Sequence, residues 1–311
     1  MRRLDALTLK QLRALAAIKR HGSITLAADA LNLTVPAVST QLKLLEENVG
    51  AKLVIRDKEH GSSDLTRHGQ VMLKAIENIE SVLAHSLKCT QALTDGKSGY
   101  LSFGVVSTGK YFAPQLVAMA KKAMPEIQIE LSIGNRKTIL SGLENGALDL
   151  AIMGRPPRQP AVEAIGLGDH PHILIAPPDH PLVNNKNFSG EELLAQTFIK
   201  REVGSGTRIL MERYLDRVGD GIVYDWMEFN TNETIKQAVI AGLGIALISE
   251  HTVIEELKSG RIATIDMQGL PIMRRWFVVR PAEVELTPVI ERVQTFLVTE
   301  EKNYLPSFLQ L

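Results

Sequence analysis

The order of hydrophobic and polar positions predicts a helical module at the N-terminus. Apolar residues recur at helical spacing over residues 8–20, and Gly22 is suited to end that helix. A second helical pattern follows Ser23, whose hydroxyl can accept a hydrogen bond from a backbone N–H of the first turn. The period breaks at Asn32, which indicates a short turn there.

A third helix is predicted from Thr34 onward. Thr34 offers a cap, and Pro36 lies in the first turn, where a missing N–H costs no helical hydrogen bond. An apolar stripe on one face is predicted to be buried, whereas the opposite face is small, polar or basic. The stripe comprises Val38, Leu42, Leu45 and Val49, and the opposite face comprises Ala37, Thr40, Gln41 and Lys43. Two short helices with a tight turn are typical of a helix-turn-helix, although periodicity alone leaves plain helical packing equally open.

Residues 50–66 change to a strand-like pattern. A short apolar run, a polar turn around Gly61 and a further apolar residue predict a β-hairpin wing. The wing carries Arg56, Lys58 and His60, side chains suited to phosphate or minor-groove contact. Residues 1–70 have a net charge of +4 and the remainder −4, which fits a nucleic-acid partner at one end, although a solvated surface explains so small an excess as well.

Residues 67–94 predict one long helix, because neither proline nor glycine follows Gly69 in this stretch. A coiled-coil-like seam is formed by Met72, Ile76, Ile79 and Leu83. A helix of this length with one apolar stripe is predicted to pair with a second copy of the chain.

Beyond a turn-rich linker at residues 95–99, strand and helix patterns alternate. Strands are predicted at residues 100–106, 127–133, 148–153, 173–176, 245–248 and 276–279. Helices are predicted at residues 112–123, 137–145, 207–217, 233–241 and 288–297. This alternation predicts parallel sheets with flanking helices.

Composition excludes several classes of protein. No apolar run approaches the roughly 20 residues needed to cross a bilayer, and the N-terminus lacks the pattern of an export signal, so a cytoplasmic protein without a membrane partner is expected. Cys89 is the only cysteine, which excludes a disulfide framework and a thiolate metal cluster. His170, His172 and His180 lack a matching cysteine or carboxylate cluster, so neither a metal nor a cofactor is predicted.

The N-terminal segment resembles the signature of LysR-type transcriptional regulators. The matching positions are Ala27, Ala28, Leu31, Pro36, Ala37, Val38, Ser39, Gln41, Leu45, Glu46, Gly50, Leu53, Arg56, Leu65, Thr66 and Gly69. The layout of the remaining chain agrees, so the resemblance covers nearly all of it.

This resemblance implies an α/β protein with an N-terminal all-α winged helix-turn-helix domain, a long linker helix and a periplasmic-binding-protein-like effector domain of two α/β subdomains. We place the DNA-binding domain at residues 1–66, the dimerising helix at 67–95 and the effector domain at 96–311. Subdomain I is placed at about 99–168 and 270–302, and subdomain II at about 169–269. The implied partners are double-stranded DNA, a small anionic metabolite, RNA polymerase and further copies of the chain in a homodimer or homotetramer.

One position departs from the family pattern. LysR-type regulators usually have glutamine where this chain has Val35, and that glutamine often contacts a base edge. Valine offers no side-chain hydrogen bond, although it can contact a thymine methyl group.

A narrower resemblance is to the CbbR subgroup, which controls Calvin-cycle (RuBisCO) operons. It rests on VVSTGKYFAPQL at 105–116, GDHPHILIAPPDHPL at 168–182 and REVGSGTR at 201–208. The subgroup implies control of carbon-fixation genes, whereas control of another operon in response to an unphosphorylated carboxylate stays open.

The candidate DNA-binding residues are those at the start of the predicted recognition helix, its neighbouring cap and the wing. They are Ser23, Thr34, Val35, Pro36, Ser39, Thr40, Lys43 and Arg56. Ser23 and Thr34 as helix caps, and Lys43 and Arg56 as surface charges, are the simpler alternatives.

The candidate effector-binding residues lie where predicted strands lead into helices. Ligands bind at such edges of parallel sheets because helix N-termini direct backbone N–H groups there. The set comprises Ser107, Thr108, Lys110, Asn135, Arg136, Thr138, Arg155, Arg201, Gly204, Ser205, Gly206, Thr207, Arg208, Asn230, Thr231 and Asn232. Hydroxyls, glycines and cations together suit a phosphate ester or a carboxylate, while helix capping in tight turns is the alternative for any single segment.

Two other functional classes are weighed against a regulator. A transporter's solute-binding protein fits the α/β half alone, but not the winged module. An enzyme is disfavoured because the sequence has no G-x-S-x-G elbow and no paired carboxylates beside the glycine-rich 204–208 segment, which also lacks P-loop spacing.

Overall fold

The computed structural model describes residues 4–56, 62–185 and 187–306. The chain divides into two compact units that meet within one long helix, between Ala84 and His85. Each unit has its own hydrophobic core. Within the described residues, no helix has both the length and the apolar character needed to cross a bilayer.

Regular structure follows the chain in this order. The helices of the described residues are α1 (Leu9–His21), α2 (Ile24–Ala30), α3 (Val35–Val49), α4 (Arg67–Thr94), α5 (Ala113–Ala123), α6 (Arg136–Glu144), α7 (Gly190–Leu194), α8 (Gly206–Gly219), α9 (Asn232–Ile240), α10 (Ile254–Lys258), α11 (Pro288–Thr299) and α12 (Glu301–Tyr304). The strands are β1 (Val54–Arg56), β2 (Ser63–Leu65), β3 (Gly99–Val106), β4 (Ile127–Gly134), β5 (Leu150–Met153), β6 (Val162–Ala176), β7 (Phe198–Arg201), β8 (Trp226–Phe229), β9 (Ala246–Ser249), β10 (Ala263–Ile265) and β11 (Ile272–Pro281).

The first three helices form the core of the N-terminal unit, as the hydrophobic pattern predicts. Thr8 and Gln11 form a reciprocal capping box that begins α1. The helix ends at Gly22, whose φ of 74° is a left-handed conformation that glycine adopts without strain. The buried side chains include Leu15, Ile18, Ala27, Val38, Leu42, Leu45 and Leu53.

A β-hairpin follows α3, which confirms the predicted wing. β1 pairs antiparallel with β2 in the register Val54 to Leu65 and Arg56 to Ser63. The predicted turn around Gly61 lies outside the described residues, as do Lys58 and His60.

The long helix α4 has the predicted bounds, but two residues of its predicted seam, Met72 and Ile76, pack in or against the core of the N-terminal unit. Ile76 is buried in the core of the N-terminal unit and is therefore not available to a second chain. A Cβ atom at Gly69 would lie 2.1 Å from the Leu53 carbonyl oxygen, so only glycine permits this close packing at the start of α4. The exposed apolar side chains of α4 are Val71, Ile79, Val82, Leu83, Leu87 and Leu93.

The C-terminal unit contains a mixed seven-stranded sheet in the order β10-β6-β11-β5-β3-β4, with β9 also paired to β6. β3 pairs in parallel with β4 and β5, whereas β11 pairs antiparallel with β5 and β6. The predicted parallel pairing is confirmed for β3 with β4 and β5 and for β7 with β8, but it is wrong for β6, β9, β10 and β11, which pair antiparallel. Its basis was strand–helix alternation, but no helix separates β5 from β6, and β11 returns along β6 in the opposite direction.

β6 and β11 connect two hydrophobic cores. Leu167 of β6 and Trp276 of β11 lie in the first core. Leu174 of β6 and Ile272 of β11 lie in or against the second core. The effector unit thus has two α/β subdomains joined by two long strands. The sequence pattern revealed only part of β6, because Gly166, Gly168 and Pro171 interrupt its apolar run, and it did not reveal β7, β8 or β10.

Candidate functional sites

The start of α3 presents a capped and exposed helix end. Thr34 Oγ1 accepts a hydrogen bond from the Ala37 N–H at 3.3 Å, and Ser23 Oγ accepts one from the Leu26 N–H at 3.1 Å. Both hydroxyls therefore cap helices, and this use is compatible with phosphate contact because each lies at an N-terminus.

The start of α3 exposes two apolar side chains, Val35 and Pro36. The Val35 side chain is 40% exposed, and Pro36 beside it is exposed as well. Thr40 donates its hydroxyl hydrogen to the Pro36 carbonyl at 2.9 Å, so this hydroxyl is engaged within the helix. Ser39 is half-buried, and Lys43 is exposed at 3.8 Å from Glu47.

The wing is tied to the helical core by a buried carboxylate. Glu46 on α3 accepts hydrogen bonds from the backbone N–H groups of Leu53 and Val54 and from Lys52. Burial opposes ionisation, but these donors hold the pKa of the Glu46 carboxyl below its ordinary value. Arg56 is the last residue of β1 and pairs with Ser63 of β2.

A cavity of about 370 Å³ lies between the two subdomains of the C-terminal unit. Ser107 and Thr108 reach it from the end of β3, and Ser205, Gly206 and Thr207 reach it from the start of α8. Arg136 at the start of α6 and Arg155 after β5, which the sequence also predicts, line the same cavity, so three predicted segments and Arg155 meet there.

Five arginines line this cavity, and we call them the cavity arginines. They are Arg136, Arg155, Arg158, Arg213 and Arg274, and none of the described residues that line the cavity is Asp or Glu. Burial and the neighbouring charge of Arg155 lower the pKa of Arg136. Arg136 also donates to the Arg155 carbonyl oxygen at 2.5 Å, which brings the two segments together. The cavity is therefore strongly electropositive and suits a ligand with more than one negative charge.

Two buried histidines form part of the same wall. His170 and His172 are neighbours on one face of β6, with ring centroids 4.3 Å apart, and His170 stacks on Trp276 at 3.7 Å. Burial holds the pKa of His170 well below its ordinary value and lowers that of His172 to about 3. Both rings are therefore neutral at physiological pH. His180, the third histidine of this stretch, does not line the cavity.

The remaining predicted effector residues lie outside the cavity lining. Arg208 pairs with Glu212 at 2.8 Å and with Glu228, and Lys110 pairs with Glu233 at 3.3 Å. Helix capping explains Asn135, Thr138 and Thr231, while Gly204 supplies a turn at φ 95° and Asn230 is exposed.

Arg201 and Asn232 belong to a buried network that bridges the subdomains. The Arg201 guanidinium donates to Ser107 Oγ at 3.2 Å, to Asn232 and to both carboxylate oxygens of Glu202. Asn135 donates to Glu202 Oε1 at 3.0 Å, which adds a second bridge. These contacts join residues at the ends of β3 and β7 without using a ligand.

Sequence reasoning missed Arg158, Arg213, Arg274, His170 and His172 as cavity residues. His170 and His172 carried a detectable signal, since i and i+2 positions in a strand share a face. The three arginines carried none, because their orientation depends on packing between distant segments.

Family comparisons agree with this division of the chain. Residues 9–70 match the family of bacterial regulatory helix-turn-helix proteins of the lysR type, and residues 94–302 match the LysR substrate binding domain.

Similar proteins extend the match over nearly the whole chain. The HTH-type transcriptional regulator CbbR of Cereibacter sphaeroides is 49% identical, over 98% of this chain and 99% of the relative. The HTH-type transcriptional regulator CfxR of Cupriavidus necator is 40% identical, over 97% and 94%.

Solved structures give the same result. The regulatory domain of Synechocystis PCC6803 CcmR in complex with 2-PG is 32% identical, with a TM-score of 0.61 over 66% of this chain and 98% of that one. CbnR, a LysR family regulator at 18% identity, shares the fold with a TM-score of 0.69 over 95% and 99%. The helix-turn-helix, the two-subdomain effector unit and the relatives identify a DNA-binding regulator rather than an enzyme, and the chain belongs to the LysR family of bacterial transcriptional regulators.

Proposed function

We propose that this regulator binds operator DNA through α3 and the wing, and that a small phosphorylated metabolite in the electropositive cavity modulates this binding. The observation that carries the proposal is the set of five cavity arginines without an acidic residue in the lining. Arginine binds phosphate oxygens in a bidentate manner and keeps its charge on burial, so such a set favours a polyanion over a monocarboxylate.

The relatives indicate which genes are regulated. Proteins named CbbR and a protein named RuBisCO operon transcriptional regulator from Allochromatium vinosum match almost the whole chain, the latter at 37% identity. CcmR, whose regulatory domain is similar, has been solved with 2-PG. We therefore assign this chain to the control of carbon-fixation genes in the cytoplasm, where the operator DNA is located.

The proposed mechanism uses the two connecting strands. β6 and β11 join the subdomains, so a ligand that bridges cavity residues on both sides favours one relative orientation of the subdomains. The ligand shifts the equilibrium between the two arrangements only by its difference in affinity for them.

We propose that copies of the chain pair through the exposed apolar face of α4, as a homodimer or homotetramer. The change in subdomain orientation then alters how the assembly contacts the DNA and RNA polymerase. The domain limits of this scheme are residues 1–66, 67–95 and 96–311, with subdomain II at about 169–269.

The experiment is a thermal-shift comparison of purified variants with a ligand panel. The panel sets 2-phosphoglycolate and sugar phosphates beside unphosphorylated carboxylates. A ligand at 100 times its dissociation constant adds about 2.7 kcal/mol to the free energy of unfolding. We expect phosphorylated ligands to raise the melting temperature, Arg213→Ala to remove this rise and Arg217→Ala to retain it. Both residues lie on α8, but only Arg213 lines the cavity.

A rise with unphosphorylated carboxylates alone contradicts the proposed ligand and supports the alternative, a LysR-type regulator of another operon. Footprinting on the promoter of RuBisCO genes from the same organism tests the gene assignment separately. Protection there whose extent changes with the ligand is the expected result.

A further inference from the structure

Two adjacent strands, β6 and β11, contribute His170, His172 and Arg274 to the wall of the effector cavity. β6 lies between β9 and β11, with His172 opposite Ser249 of β9 and His170 opposite Arg274 of β11. Side chains at paired positions and at i, i+2 share one face of a sheet, and His170, His172 and Arg274 line the cavity. The sheet strand β6, rather than a loop, therefore sets the positions of the two imidazole rings.

The hydrogen bonding of His172 defines its tautomer. Its Nδ1 lies 3.2 Å from the His170 carbonyl oxygen. A carbonyl oxygen only accepts, so Nδ1 carries the hydrogen of a neutral ring and Nε2 is left as an acceptor. The charged and titratable groups facing the ring are Arg274 on β11, His251 after β9 and His170 on β6 itself. Burial, the largest influence, acts with Arg274 and His251 against a positive charge on His172.

His172 Nε2 can accept a hydrogen bond, whereas the other polar side chains of the cavity can act as donors. The cavity arginines only donate hydrogen bonds, and the hydroxyls of Ser107, Thr108, Ser205 and Thr207 can rotate to donate as well. The other imidazole, His170, contacts Ser249 Oγ through Nε2, and its Nδ1 is buried away from the cavity. The His172 ring cannot rotate without losing its bond to the His170 carbonyl, and His170 is itself held by Trp276 and by a 3.0 Å contact between its Nε2 and Ser249 Oγ. His172 Nε2 is thus an acceptor of fixed orientation among donors.

We infer that His172 is a specificity-determining residue that accepts a hydrogen bond from a hydroxyl group of the ligand. The ligand is then a hydroxylated phosphate ester, such as a sugar phosphate or a phosphoglycerate, bound by the cavity arginines through its anionic groups and by His172 through its hydroxyl. This inference rests on the proposed function, since it presupposes a phosphorylated ligand in the cavity.

The test is titration calorimetry on the full-length protein with ligand pairs that differ by one hydroxyl. The pairs are ribose 5-phosphate with 2-deoxyribose 5-phosphate, and 3-phosphoglycerate with 3-(phosphonooxy)propanoate. We expect wild-type protein to bind the hydroxylated member of at least one pair about tenfold more tightly, as one well-placed hydrogen bond provides.

Matched substitutions separate the acceptor from packing. His172→Asn keeps a donor for the His170 carbonyl but has no acceptor at the ε position, and we expect it to abolish the preference while the deoxy ligand binds as before. His172→Gln supplies an oxygen at that reach and is expected to restore part of the preference. His180→Asn, outside the cavity lining, is the control that leaves the preference unchanged.

Two results overturn the inference while the proposed function stands. The first is equal affinity of the wild-type protein for both members of each pair. The second is proton uptake on binding, measured in buffers of different ionisation enthalpy and lost in His172→Asn, because a protonated ring has no acceptor. If no phosphorylated compound binds while carboxylates do, the proposed function fails and the inference falls with it.

Discussion

Two groups of arginines in the effector unit differ in their partners. Arg201 and Arg208 lie among carboxylates: Glu202 binds Arg201 through both oxygens, and Glu212 and Glu228 flank Arg208. The five cavity arginines have no acidic residue among the described residues that share the lining with them. Both groups lie near the boundary between the subdomains, yet their charges are used differently.

This difference separates residues that stabilise the fold from residues that we propose to bind the ligand. A guanidinium whose donors are taken by carboxylates contributes to stability and offers little attraction to an anion. A guanidinium among other cations lowers stability slightly through like-charge repulsion, and a bound anion removes that repulsion. Removing an arginine paired with carboxylates should therefore lower stability more than ligand affinity. Removing a cavity arginine should lower ligand affinity more than stability.

The largest expected effect is on stability, from Arg201→Ala. Arg201 is 3% exposed, and its loss removes the guanidinium donor of Asn232 and Ser107 and leaves Glu202 with Asn135 as its remaining side-chain donor. We expect the free energy of unfolding to fall by about 2–4 kcal/mol, as when one partner of a buried pair is removed. Trp226 and Trp276, the only tryptophans, both lie in the effector unit, so denaturation followed by tryptophan fluorescence reports this unit alone. A loss below about 0.5 kcal/mol contradicts the structural role.

The next effect is on affinity, from Arg274→Ala. Arg274 lines the cavity beside His172, and its loss removes charge-assisted hydrogen bonds to the ligand. We expect phosphorylated ligands to bind about 10- to 100-fold more weakly, from the roughly 1.5–3 kcal/mol of such a bond, while the ligand-free protein unfolds at an unchanged or slightly higher denaturant concentration. Its neighbour offers the control: Arg275 donates to the Leu167 carbonyl instead, and Arg275→Ala should leave the affinity unchanged.

A smaller effect is a pH dependence of the stability, which arises from Glu202, the carboxylate paired with Arg201. Burial raises the pKa of Glu202, but Arg201 and Asn135 outweigh it and hold that pKa below the ordinary value. A carboxyl with a lowered pKa contributes stability above its unfolded pKa of about 4.3, and this contribution is lost as the pH falls through the lowered value. The melting temperature of the wild-type protein should therefore exceed that of Glu202→Gln at pH 7, and the gap should close below pH 4. A gap that stays constant with pH contradicts the pairing.

Local signals allowed much of the fold to be predicted. The caps Ser23 and Thr34, the glycine that ends α1 and the whole of α4 follow from residues within a few positions of each other. Local patterns also indicated the starts of α6 and α8, and Arg136, Ser205 and Thr207 in these segments line the cavity.

Local signals did not distinguish the arginines that line the cavity from those that do not. Arg208 and Arg213 lie on one helix, but only the packing of α8 against β7 and β9 decides that Arg208 meets carboxylates and Arg213 meets the cavity. Arg274 and Arg275 alternate on β11, and the face that lines the cavity depends on β6, which is distant in sequence. Side-chain direction relative to a distant segment is a tertiary property that no local pattern carries.

The smallest expected effect, from Arg208→Ala, tests the division between the two groups most directly. The segment 204–208 predicted Arg208 as an anion-binding residue, whereas its guanidinium is engaged by Glu212 and Glu228. Both carboxylates are about 40% exposed, so solvent screens the pairs, and we expect the free energy of unfolding to fall by no more than about 1 kcal/mol. Calorimetry should find ligand affinity within about twofold of the wild-type value. A tenfold or greater loss of ligand affinity would mean that Arg208 leaves its carboxylate partners and binds the ligand. The distinction between the two groups of arginines would then hold only in the ligand-free protein.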